Sequence, residues 1–111
     1  MISLDKIRMN IIKTSINGVV DKETVFIFSQ NGNIVSASYS GGKIKQGYLI
    51  GTIENDKLTF GYCQIQTDNK IDNGQSICQL LIGENGKFRL IENFKWLSRD
   101  GNSGTNIFEE F

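Results

Sequence analysis

The chain has 111 residues, 39% of them hydrophobic, and its twelve basic side chains balance twelve acidic ones, so the formal net charge is zero. That length suits one domain, taken as residues 1–111, with one modest core. The even balance lacks the positive excess that marks binders of nucleic acid or of anionic membranes, so neither partner is expected. Histidine is absent, which removes the commonest general base and metal ligand and excludes serine–histidine and cysteine–histidine hydrolase mechanisms.

The first ten residues, Met1 to Asn10, carry charges every few positions, so no apolar leader core forms among them. No run approaches the roughly 20 apolar residues of a membrane span. A cytoplasmic protein is expected, with Cys63 and Cys78 as reduced thiols. Symmetric pairing about the 68–74 loop would set the two cysteines facing each other, where a bridge becomes geometrically feasible.

Residues 6–16 place Ile7, Met9 and Ile11 on one side against Arg8 and Asn10, a period of two that reads as a strand. Residues 24–30, rich in β-branched and aromatic types, read as the second strand. Asn31-Gly32 follows, a pair suited to a type I′ hairpin turn. Residues 33–40 return, and Gly41-Gly42 turns the chain again. Residues 43–54 form a long strand with interior glycines Gly47 and Gly51, which mark bulges or bends. After Asn55-Asp56, residues 57–67 set Leu58, Phe60, Tyr62, Gln64 and Gln66 on one face. Asp68 to Gly74 reads as a longer polar loop, 75–82 as a strand, and Gly83 to Gly86 as a turn. A strand to Trp96, a glycine-bearing loop from Ser98 to Gly104, and a last strand, Thr105 to Glu110, complete the chain.

About eight strands joined in sequence by short turns, with no helical period, define an all-β antiparallel meander. Such a meander closes into an up-and-down barrel or folds over as a sandwich. The barrel is preferred, because pairing the first strand with the last removes both edges, and the interior glycines supply bends. Eight strands leave an interior that side chains fill or that holds one small ligand.

Nucleotide and metal signatures fail on inspection. Gly41-Gly42-Lys43 lacks the earlier glycine of a phosphate loop, since Ala37 stands there, and Ile44 replaces the required Ser or Thr. Asp100-Gly101-Asn102-Ser103-Gly104 begins like a calcium loop, but Thr105 and Phe111 stand where Gly and Glu belong. Two cysteines without histidine make a poor transition-metal set. No cofactor and no metal are expected.

Glu92 is the chemical anomaly. Phe88, Leu90, Phe94 and Trp96 alternate onto one face, and Glu92 falls among them. A buried carboxylate costs several kcal/mol unless it is paired or protonated. Two readings stand: a structural ion pair or hydrogen-bonded group, and a carboxylate that contacts ligand or acts as acid or base. Arg89 points to the other face and is not its partner. Tyr39, Tyr62 and Gln64 are candidate companions, and Trp96 could stack on a ligand or plug the barrel.

Several segments resemble a known family: Asn33 to Gly42, Gly47 to Gly51, Leu58 to Tyr62, and Trp96 to Gly104 with the Glu109-Glu110 ending. From about residue 24 onward the chain is similar to small bacterial calycin-type barrels, alike in outline to avidins and lipocalins and often labelled N-acetylglutamate synthase. The resemblance implies the barrel and transfers no catalytic residue. The label implies acyl transfer. The usual acetyltransferase, however, holds coenzyme A pyrophosphate at a glycine-rich loop opening a helix, and neither occurs here. Ser36 stands where the family pattern suggests a larger aromatic, and Phe94 where it suggests tryptophan; both changes are expected to reshape the interior.

The leading expectation is a binding module for a small, partly apolar ligand, contacted by Glu92, Tyr39, Tyr62, Gln64 and Trp96. One alternative is an acyl-transfer enzyme with Glu92 as acid or base. Another is an interaction module, including a homodimer, acting through the outer surface, since Val25 and Ile27 alternate with Phe26 and Phe28 and one of these apolar pairs faces outward.

Overall fold

A computed structural model describes residues 3–99 and 103–111. Eight strands run in order: β1 (Arg8–Thr14), β2 (Val25–Asn31), β3 (Ile34–Gly41), β4 (Ile44–Glu54), β5 (Lys57–Gln66), β6 (Ile71–Ile82), β7 (Phe88–Trp96) and β8 (Ser103–Glu110). Each pairs antiparallel with the next, and β1 pairs with β8, closing the barrel. The expected meander barrel is therefore what the chain forms.

Alternation decides what lies inside. In β5, Leu58, Phe60, Gln64 and Gln66 are buried between exposed neighbours, and Tyr62 is half-buried on the same face. Ile27 on β2, Ile34 on β3, Tyr48 and Ile50 on β4, Ile65 on β5 and Ile77 on β6 are among the apolar outward members. Ser36 also lies on the outer face, between buried Val35 and Ala37, so it leaves the interior untouched; Phe94 is interior. The lower half of the barrel is packed with Phe28, Val35, Leu58, Leu80 and Leu90. Residues 3–7 close that end. Leu4 is fully buried there, its N–H donating to Gln30 Oε1 at 2.8 Å, and Lys6 N–H reaches the Phe28 carbonyl at 2.9 Å. Burying one such leucine contributes roughly 1.5–3 kcal/mol.

Three local readings need correction. The first hairpin loop is Gly32-Asn33, because Asn31 takes a ladder position opposite Ile34. Only Gly32 has positive φ (63°), as a type II′ turn requires, whereas Asn55 and Asp56 (52° and 62°) make the type I′ turn. Second, β6 starts at Ile71, so the 68–74 loop shrinks and Asp72 joins the interior face. Third, Cys63 pairs with Asn73 and Cys78 with Leu58. Cys63 is exposed outside and Cys78 buried inside, both as free thiols, so the bridge is sterically unavailable.

Interior aromatics fit because glycines lie beneath them. A Cβ at Gly74 would overlap the Tyr62 hydroxyl and the Lys95 carbonyl, and one at Gly47 would overlap the Tyr39 ring. These glycines let rings from neighbouring strands lie flat against the backbone.

Candidate functional site

The upper end of the barrel carries the 15–24 connection, the 42–43 and 67–70 turns, and the chain following Trp96. Beneath it lies a cavity lined by Gly18, Val19, Val20, Phe26, Tyr39, Leu49, Phe60, Tyr62, Gln64, Glu92, Phe94, Trp96, Asn106 and Phe108. About 30 Å³ is open to a water molecule's centre, within a void of about 360 Å³ that continues into solvent. The smaller figure governs what fits without movement, and it is far below the roughly 300–1,000 Å³ of a typical ligand pocket. The walls are aromatic. Phe26 stacks on Tyr39 with centroids 4.4 Å apart, and Trp96 meets Tyr62 and Phe94 edge-on at 5.7 and 5.6 Å.

Glu92 is 4% exposed, and its partners come from the two strands flanking β7. Ser76 Oγ on β6 donates to Oε2 at 2.5 Å, and Asn106 Nδ2 on β8 donates to Oε1 at 2.8 Å. Thr14 Oγ1 donates in turn to Asn106 Oδ1 at 2.6 Å. A bulge in β1 between Ile11 and Lys13 shifts the alternation, which lets Thr14 turn toward Asn106. No cation reaches Glu92: among the described residues the salt bridges are Arg89–Glu109 and Arg99–Asp72. Burial therefore raises the Glu92 pKa, opposed by the two hydrogen bonds.

The expected companions of Glu92 bond elsewhere. Tyr39 donates to Gln64 Oε1 at 2.8 Å. Tyr62 Oη, Gln64 Nε2 and Trp96 Nε1 are buried with no hydrogen-bond partner in the protein. Leaving such a group unsatisfied costs roughly 1–3 kcal/mol. All three belong to residues lining the cavity. Burial pushes the Tyr39 and Tyr62 hydroxyls well above the usual phenol range, with the Glu92 charge adding to it. The structure thus gathers Glu92, Tyr39, Tyr62, Gln64 and Trp96 around one cavity, while only Tyr39 and Gln64 bond each other.

A second polar cluster caps the mouth. Arg99 holds Asp72 in bidentate fashion, Nε to Oδ1 at 3.1 Å and Nη2 to Oδ2 at 2.6 Å. Ser98 Oγ donates to Oδ1 at 2.9 Å, and Gln66 Nε2 donates to Oδ2. The Arg99 guanidinium lies 4.6 Å over the Trp96 ring. Its hydrogen bond to Asp72 holds that carboxyl below the usual range despite burial.

Sequence reasoning missed Ser76, Asn106 and Asp72, although the signal existed. Extending the Cys78–Leu80 alternation backward reaches Ser76 and Asp72, and the face of Phe108 reaches Asn106. Nothing local marks Arg99. Of the loop compared with a calcium site, Asp100, Gly101 and Asn102 lie outside the described residues. Among the described residues no group of three or more carboxylates and thiols is placed to hold a metal ion. No helix there is long and apolar enough to cross a membrane.

A family profile described as Avidin-like protein matches residues 2–111. Neither the curated proteins nor the solved structures give a significant match. An eight-stranded meander closed on itself, with its cavity at one end and the profile spanning nearly the whole length, places the chain in the avidin-like protein family, whose barrel is typical of small-ligand binding.

Proposed function

We propose that this protein binds a small, partly apolar molecule at the upper end of the barrel, with Tyr39, Tyr62, Gln64, Glu92 and Trp96 in contact with it. The observation that carries the reading is that three buried, unpartnered polar atoms belong to residues lining one aromatic-walled cavity. Ligand sites have this composition: apolar walls with a few polar groups that fix orientation. A ligand of ordinary size needs this cavity to widen, and Val19 and Val20 of the 15–24 connection are part of its wall. The 15–24 connection suits this, since residues 15–24 form no strand and the bonds that tie them to the barrel involve Ser15, Asn17, Lys22 and Thr24, on either side of the two valines. Acyl transfer gains no support, because the described residues contain no helix to carry a pyrophosphate-binding loop.

The test is a ¹⁵N NMR titration with benzamide, benzyl alcohol and 1-butanol. Trp96 is the only tryptophan, so its indole N–H gives one unambiguous signal. Shifts at Trp96 Nε1, Gln64 and Gly18 to Val20 are expected. Shifts confined to the outer face, or none with any of these probes, would refute the reading.

The outer face supports a second reading, self-association. Tyr48, Ile50 and Ile77 are exposed around uncharged Gly61 and Cys63 on β4 to β6, and Ile27 is exposed on β2. Light scattering that gives a monomer up to millimolar concentration would dispose of it.

A further inference from the structure

The charges that face the interior do not cancel. Among the described residues, the buried charged side chains are Asp72 and Glu92. Arg99 meets Asp72 with two nitrogens on two oxygens, which neutralises that carboxylate. Glu92 has only neutral donors, one on each oxygen. A carboxylate offers about four acceptor positions, so about two remain unused. Around it stand seven aromatic rings of the cavity wall, from Phe26, Tyr39, Phe60, Tyr62, Phe94, Trp96 and Phe108. Ring faces attract cations, and more strongly where water is excluded. Among the described residues, no side chain lining the cavity is cationic, so none there neutralises an incoming anion.

Resting on the ligand-binding reading above, we propose that the ligand is a small organic monocation, an alkylammonium or quaternary ammonium compound, seated with its charge against Glu92. Its nitrogen would bring the neutral balance that the interior lacks. The Tyr62 hydroxyl, which has no partner, can accept from an N–H. Gln64 Nε2 and Trp96 Nε1 are donors only, so they select a ligand with an acceptor at its other end.

The titratable groups near Glu92 are Tyr39 on β3, Tyr62 on β5 and Cys78 on β6, with Asp72 and Arg99 at the mouth. Burial holds the tyrosines and Cys78 neutral, and Arg99 holds Asp72 ionised. That leaves Glu92 as the interior carboxyl, among the groups described, whose pKa burial raises and whose ionised form a cation would favour. Cation entry favours its ionised form, so binding releases a proton wherever Glu92 begins protonated.

The experiment compares n-butylammonium, 1-butanol and butyrate at constant ionic strength, using Trp96 fluorescence and calorimetry. Butylammonium should bind at least tenfold tighter than butanol at pH 8, and butyrate should not bind. Glu92→Gln should bring the butylammonium-to-butanol ratio to within threefold. In the unaltered protein the preference should shrink as pH falls from 8 to 5, which keeps the proposal falsifiable if the variant does not fold. Equal or tighter binding of butanol or butyrate, or a preference that survives Glu92→Gln, overturns the cation proposal and leaves ligand binding standing. Silence from all three probes overturns both.

Discussion

Replacing Glu92 with glutamine should make the protein more stable at pH 8 and nearly equal to the parent at pH 4. Glu92 is buried among rings without a cation, so its ionised form is disfavoured and its pKa is raised. A carboxyl whose pKa is higher folded than unfolded contributes stability below the unfolded value and loses it as pH rises through the folded one. Each unit of elevation corresponds to roughly 1.4 kcal/mol. The glutamine amide retains the local bonds: its oxygen accepts from Asn106 Nδ2, and its nitrogen donates to Ser76 Oγ, where the 2.5 and 2.8 Å contacts now stand. The gain at pH 8 should therefore be about 1–3 kcal/mol, the usual cost of a poorly compensated buried polar group. For a chain of this size, about 4 °C per kcal/mol converts this to about 4–12 °C in melting temperature. Circular dichroism melts at pH 4, 6 and 8 measure it. A variant that melts below the parent at pH 8, or a difference that does not vary with pH, would refute the assignment of Glu92 as a desolvated carboxylate. Stabilisation together with loss of butylammonium preference would be the trade between stability and function expected of a binding residue.

Arg99→Ala should destabilise by about 2 kcal/mol, because it strands the buried Asp72 carboxylate; the figure sits below that of a fully buried pair since Arg99 is 29% exposed. The same substitution should change Trp96 emission, because the guanidinium leaves the ring face. In the parent, the stability contributed by Asp72, whose pKa is lowered, is present above its unfolded pKa and is lost as pH falls through the folded one. Asp72→Asn should flatten the acid limb of a pH–stability curve. Gly74→Ala should cost about 1–3 kcal/mol by overpacking against the Lys95 carbonyl and Tyr62, while Gly61→Ala, whose Cβ would come no closer than 3.8 Å to its nearest neighbour, should be neutral within about 0.5 kcal/mol; chemical denaturation distinguishes the pair. Native protein should titrate one thiol with Ellman's reagent, exposed Cys63, and a second, Cys78, only on unfolding.

The barrel was legible because its information is local. Alternation along β5 and β7 sorted Leu58, Phe60, Gln64, Glu92 and Trp96 to the inside, and the short turns forced neighbours to pair. Register was less legible. A one-residue displacement of the first hairpin, from Asn31-Gly32 to Gly32-Asn33, follows from Asn31 joining the ladder, and turn chemistry alone does not reveal it. The site was half legible. Glu92 stood out as a charge among aromatics, but its partners come from β6 and β8, 16 and 14 residues away. Such pairing depends on register across strands. The Asp72–Arg99 latch spans 27 residues and depends on how the chain turns back after Trp96. The symmetric pairing that would join Cys63 to Cys78 fails for the same reason: the β5–β6 hairpin turns at 67–70, which puts the two thiols on opposite faces.

The most direct measurement is the side-chain carboxyl ¹³C shift of Glu92, followed by NMR while n-butylammonium or 1-butanol is added at mildly acidic pH. Butylammonium should carry the Glu92 signal toward the ionised carboxylate position, and butanol should not. A Glu92 signal unmoved by saturating butylammonium, with Trp96 equally unmoved, would contradict the account.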